Sequence, residues 1–229
     1  MQIIALIRHG DYHQRSDTPS ALQPYPLTDM GVAQARECGS ELARLLTVNR
    51  WALHHTAYSS LQLRAWQTAQ FATQVLGETG RSVEIQQTPD LSERMLGSAA
   101  NLTVQEIEKI LQDDPRFDAP PKEWKSDREY QLPLQGAESL QMAGARVAGW
   151  LRQLVTKNIT SEPTLTLVFG HGAAFRHAAH DLGVLQMSEI SQISMYHARP
   201  LLLCYKSNGM WAHYGGTWKP RARQDTALD

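Results

Sequence analysis

The chain alternates short apolar runs with longer stretches in which apolar residues return every three or four positions. Residues 3–7 (IIALI) are uninterrupted and rich in β-branched side chains, and they run into Arg8-His9-Gly10. That is the pattern of a strand buried on both faces. Residues 11–27 contain Asp11, Asp17, Pro19, Pro24 and Pro26 and read as a loop. Thr28 then reads as the N-cap of a helix reaching about residue 46, with Ala35, Cys38, Leu42 and Leu45 on one face. A short strand is expected at 56–59, a helix over 63–76 closed by Gly77, and another strand at 83–87. Further on, the spacing predicts a helix over 137–155, a buried strand at 164–169 (TLTLVF) and a helix over 173–182. Two runs at 201–205 and 210–214 flank Ser207-Asn208-Gly209, a hairpin signal, and a polar, frayed tail is expected after Arg221. Strands alternating with helices specify an α/β layered domain whose sheet is mostly parallel.

Residues 91–135 break the rhythm. They hold one helical stretch, 103–111, and then "DDPRFDAPPKEWKSDREYQLP", which lacks apolar periodicity of its own. We read this region as an insertion, or lid, over one end of a single domain covering 1–229.

Composition narrows the function classes. The 229 residues are 42% hydrophobic and 20% charged, with a formal net charge of −1, so no global field draws the chain to nucleic acid or to an anionic membrane. Any anion it binds needs a local pocket. Cys38 and Cys204 form neither a disulfide framework nor a zinc pattern and read as buried free thiols. No apolar stretch reaches eighteen residues, and the start of the chain reads as lacking a basic leader, so a cytoplasmic protein is expected.

Two strands end alike: LIRHG at 6–10 and VFGHG at 168–172. In a parallel sheet, ligands gather at the carboxyl ends of strands, so His9 and His171 would share one edge. Arg8 adjoins His9, and Arg64 opens the helix that follows "YSSLQ". Two guanidinium groups and two imidazoles converging in a nearly neutral protein make a cationic pocket suited to a phosphoryl group. Each residue alone has an ordinary reading: a hydrogen-bonded histidine at a strand end, a solvated helix arginine. Their agreement favours chemistry. The pairs His54-His55 and His177/His180 lack a carboxylate or thiol partner, so no metal is expected.

The segments LIRHG (6–10), PLTDMGVAQA (26–35), YSSLQLRAWQTA (58–69), LSERMLG (91–97), GAESL (136–140) and VFGHG (168–172) resemble, in order, those of the histidine phosphatase superfamily, the phosphoglycerate-mutase-like proteins. The resemblance implies a three-layer sandwich and a metal- and cofactor-independent reaction. In it His9 is the nucleophile that becomes phosphohistidine, and Arg8, Arg64 and His171 hold the phosphate with Gly172 beside them. Glu93 matches the family's acid/base position, with Asp90 as the alternative donor.

The family divides into phosphatases and mutases. "LSERMLGSAANLTVQEI" is closer to the phosphatase pattern than to the mutases' Leu-Asn-Lys stretch, although Ala100-Asn101 replaces the usual Glu-Gly. Tyr12, His13 and Arg15 fall where substrate contacts are expected. The Tyr12-His13 pair and "HYGGTWKPR" (213–221) are similar to members acting on phosphoproteins, while small phosphomonoesters remain equally open. His13 also reads as a surface loop residue. Two other readings stay open: a phosphoglycerate-mutase-type phosphotransferase, and a non-catalytic scaffold that binds phosphorylated ligands.

Overall fold

A computed structural model describes residues 1–158 and 162–221; the tail expected after Arg221 lies outside the described residues. In chain order the elements are β1 (Gln2–Arg8), α1 (Asp29–Asn49), β2 (Ala52–Leu53), β3 (Thr56–Ser59), α2 (Leu63–Glu78) and β4 (Glu84–Gln87). Then come α3 (Val104–Asp113), α4 (Leu140–Lys157), β5 (Thr164–Gly170), α5 (Gly172–Asp181) and α6 (Met187–Ile190). The chain continues with β6 (Ile193–Ser194), β7 (Pro200–Tyr205), β8 (Trp211–Gly215) and β9 (Lys219–Pro220).

Among the described residues seven strands form one sheet, in the order β4-β3-β5-β1-β7-β8 with β2 also on β5. From β4 to β1 the pairing is parallel; β7 and β8 close the far edge antiparallel. Alternation along β1 explains the layers. Ile3, Ala5 and Ile7 pack with α1 and α2 on one face, and Ile4 and Leu6 pack with α4 and α5 on the other. All five are fully buried, each contributing about 1.5–3 kcal/mol for the isoleucines and leucine. No helix among the described residues is long and apolar enough to cross a membrane.

Local chemistry accounts for most boundaries. The Thr28 hydroxyl accepts from Gly31 N–H and starts α1, and the Thr103 and Glu106 capping box starts α3. Helix α4 begins at Leu140 rather than 137, because Ser139 supplies the cap by accepting from Met142 N–H. Strands β2, β6 and β9 span two residues each and give too short a pattern to read from sequence.

The insertion differs from expectation. It builds its own small core, in which Leu96, Ala99, Ile107, Leu111, Trp124, Leu132 and Ala137 pack with Ala21 of the first loop. Trp124 is 1% exposed, and its indole N–H donates to Glu108. The apolar residues lie too far apart in sequence, on one helix and several turns, to show a period.

Candidate active site

The register of β1 on β5 sets the site. Arg8 pairs with Gly170, and His9 N–H donates to the Gly170 carbonyl at 3.0 Å, so His9 and His171 leave the sheet side by side. Their ring centroids are 5.2 Å apart. Both histidines are buried, at 2% and 0% exposure.

His9 Nδ1–H donates to the Gly10 carbonyl at 2.8 Å, which fixes the tautomer and leaves a lone pair on Nε2. Burial first, and then the charges of Arg64, His171 and Arg8, hold this imidazole well below the ordinary histidine value. At neutral pH the imidazole is therefore uncharged. Gly10 serves the packing of the strand end. Its N–H donates to Thr68 Oγ1 at 2.9 Å rather than facing a ligand. A Cβ on it would lie 2.6 Å from the Gly31 carbonyl oxygen, so the glycine lets α1 abut the strand end.

His171 is the N-cap of α5. Its Nδ1 accepts from Arg64 Nη2 at 3.3 Å, and its Nε2–H lies 3.1 Å from Gln62 Oε1 and 2.8 Å from Ser60 Oγ. Burial, followed by Arg64 and Arg8, keeps it uncharged too. Ser60 and Gln62 stand in the "YSSLQLR" segment, but only the fold brings them to His171.

The two arginines are held differently. Arg8 lies across the start of α5, its Nη1 donating to Met195 O at 3.0 Å. A Cβ at Gly172 would sit 3.2 Å from the Arg8 Cδ, so this glycine makes room for the arginine. Arg64 is fully buried and spends both terminal nitrogens on protein acceptors. Nη1 donates to Gln23 O, and Nη2 to Ser20 O and Ala21 O, besides His171. Its Nε is buried without a hydrogen-bond partner. Arg64 thus anchors the first loop as well as charging the pocket, and through Ala21 it ties that loop to the insertion core.

Glu93 is 5% exposed and sits against the start of α5. Its carboxylate accepts from Ala174 N–H at 3.1 Å, Ala173 N–H at 3.4 Å and Arg94 N–H at 2.9 Å. It lies close enough to Arg64 to act on that guanidinium electrostatically. Asp90 is turned to local use: its carboxylate accepts from Thr88 Oγ1 at 3.1 Å, and its carbonyl accepts from Arg146 at 2.7 Å.

Of the three loop residues, Tyr12 alone lies in the pocket. Its ring meets His9 edge-on at 5.2 Å and lies under the Arg64 guanidinium at 4.6 Å, with its hydroxyl 2.9 Å from Ser20 Oγ. His13 is exposed, and its backbone N–H donates to Pro26 O. Arg15 is exposed and donates to Asn101 O at 2.7 Å, strapping the loop to the insertion. One neighbour had no sequence signal: the His197 ring stacks on His9 at 5.6 Å and 29°. It arrives because Ala198 N–H bonds Arg8 O as the chain enters β7.

Over residues 4–214 the chain matches the histidine phosphatase superfamily (branch 1). It belongs to that superfamily. Curated relatives are 2,3-bisphosphoglycerate-dependent phosphoglycerate mutases. That of Parvibaculum lavamentivorans is 23% identical over 87% of this chain and 89% of its own, and that of Rhizobium meliloti 26% identical over 90% of each. The fold is shared with a mycobacterial glucosyl-3-phosphoglycerate phosphatase (TM-score 0.65, 19% identity, 92% of this chain and 96% of that one). It is also shared with a phosphoserine phosphatase from Entamoeba histolytica in complex with 3-phosphoglyceric acid (TM-score 0.65, 19% identity, all of both chains). In this superfamily member His9, Arg8, Arg64, His171 and Glu93 converge at the carboxyl ends of β1 and β5.

Proposed function

We propose that the protein is a phosphatase that hydrolyses a phosphomonoester through a phosphohistidine on His9. The observation that carries this reading is the fixed, uncharged His9: Nδ1–H bound to Gly10 O, Nε2 open among Arg8, Arg64 and His171. Nε2 attacks phosphorus as the bond to the ester oxygen breaks. The cationic neighbours stabilise the charge spread over the three equatorial oxygens. Glu93 supplies the proton to the leaving alkoxide. It then takes one from the water that attacks the phosphohistidine, which frees inorganic phosphate and restores His9. Tyr12 walls the pocket. A cytoplasmic location fits two cysteines that stay free and buried.

A mutase is the second reading, favoured by the names of the curated relatives. The "LSERMLGSAANLTVQEI" segment and the phosphatases among the fold neighbours support hydrolysis. One experiment separates the two. Protein is mixed, in the presence of chelator, with a phosphate-labelled alkyl or aryl ester, and label is followed into protein, inorganic phosphate and positional isomers. A phosphatase gives an acid-labile label on His9 and then free phosphate, and His9→Ala gives neither. Transfer between positions of phosphoglycerate, dependent on added 2,3-bisphosphoglycerate, would establish the mutase instead. Turnover unchanged in His9→Ala would defeat both.

A further inference from the structure

A histidine ring turns easily about its last side-chain bond, because that torsion has broad minima. His9 has one hydrogen bond against such rocking, from Nδ1–H to the Gly10 carbonyl at 2.8 Å. A bond at one corner leaves Nε2, on the far side of the ring, free to swing. Three rings around His9 bear on this. Tyr12 stands at 89° to it and His171 at 57°, whereas His197 lies at 29°, with centroids 5.6 Å apart. His197 alone of the three is near parallel, in the range of an offset stack.

The backbone holds His197 in that place. The peptide joining His197 to Ala198 donates its N–H to the carbonyl of the peptide joining Arg8 to His9, at 2.8 Å. The two rings thus hang from α-carbons on either side of one hydrogen bond. The Arg8 side chain fastens the same turn a second time, Nη1 donating to Met195 O at 3.0 Å. Ala198 is 2% exposed and has a φ of 48°, in the left-handed region. A residue with a side chain keeps that conformation where its surroundings over-determine it, and such strain gathers at functional sites. His197 is half-buried and also lines a cleft of about 820 Å³ bounded by α1 and by the turns before β7 and after β8. His9 is not among the cleft's walls, so His197 is the ring that meets both.

We propose that His197 is a positioning residue for the reaction at His9, its ring the plate that holds the His9 imidazole at the angle from which Nε2 meets phosphorus. It acts through His9 and needs no contact with substrate. Its effect on rate rests on the reading of His9 as the nucleophile; its hold on the ring does not.

The test compares the full chain with His197→Ala and His197→Phe. The first assay, without substrate, follows exchange of the His9 Nδ1 proton with solvent by NMR of labelled histidine. Exchange should quicken about two- to tenfold in His197→Ala, the fold-change equivalent to losing one ring pair. It should stay near wild type in His197→Phe, which keeps a flat ring. The second assay uses an aryl phosphate. The alanine variant should lose roughly 10–100-fold in kcat with KM little changed, as expected for a misplaced reacting atom, and phenylalanine should restore most of it. Unchanged exchange or unchanged kcat in His197→Ala overturns the proposal. So do equal losses in the two variants, which would assign the effect to a ring nitrogen, and a loss confined to KM, which would make His197 a substrate contact. A wild-type chain that takes no phosphate label on His9 defeats the phosphohistidine reading instead, and the exchange assay still decides whether His197 holds the ring.

Discussion

Replacing Gly10 by alanine tests the claim that this residue is a packing glycine and not a ligand contact. The added Cβ would sit 2.6 Å from the Gly31 carbonyl oxygen and 3.1 Å from its Cα, where ordinary contact begins at 3.4 Å. Both obstacles are backbone, so no rotamer change relieves them. The end of β1 and the start of α1 must part by about 0.8 Å. Overpacking of this kind costs about 1–3 kcal/mol. The same displacement moves His9, which is bonded to the Gly10 carbonyl, relative to His171 and the arginines; a misplacement near 1 Å costs on the order of 100-fold in rate. Gly10→Ala should therefore lower the urea midpoint by an amount equivalent to about 2 kcal/mol. It should also reduce kcat on an aryl phosphate by roughly 10–100-fold, with a smaller change in KM. Stability within about 0.5 kcal/mol of wild type together with undiminished kcat would refute the packing argument. Normal kcat with a raised KM would instead assign Gly10 to ligand contact.

The other predictions concern separate parts of the molecule. Glu93→Gln should slow alkyl phosphates far more than aryl phosphates, whose leaving groups need little protonation; equal losses on the two would remove Glu93 from the acid role. His177 links pH to stability. Burial, helped by Arg176 and Arg128, lowers its value from 6.5 to about 4, so between those pH values the unfolded chain holds more protons. Its contribution is complete above 6.5 and is lost as pH falls towards 4, by about 3 kcal/mol. His177→Gln should flatten the acid limb of the stability curve by that amount; parallel curves for the two proteins would contradict the assignment. His9 and His171, also lowered, titrate in the same direction and remain in the variant. Trp124→Ala empties the centre of the insertion core and should cost that unit about 3–5 kcal/mol. Limited proteolysis should then cut within 113–135 while the central sheet keeps its protection, and cleavage at the wild-type rate would show that the insertion has no core of its own.

Local signals made much of this protein legible in one dimension. The unbroken IIALI and TLTLVF runs, the Thr28 cap and the Ser207-Asn208-Gly209 turn state their structure within a few residues, because backbone propensity and burial on both faces act locally. The repeated strand-His-Gly ending fixed His9 and His171 on one edge for the same reason: parallel strands of similar length bring their carboxyl ends level. What a residue touches across the fold is a matter of tertiary packing. His197 reaches His9 across 188 positions of chain because β7 pairs antiparallel with β1, and no local pattern encodes that meeting. Arg64 announces a cation, but only the folded first loop shows that its two terminal nitrogens hold carbonyls and that Nε is left unpartnered. The insertion core is hidden likewise, since residues from 96 to 137 and Ala21 meet without a shared period. The place of the adjacent arginine and histidine at the end of the first strand was thus legible in sequence, while the geometry of their partners was decided where distant segments pack.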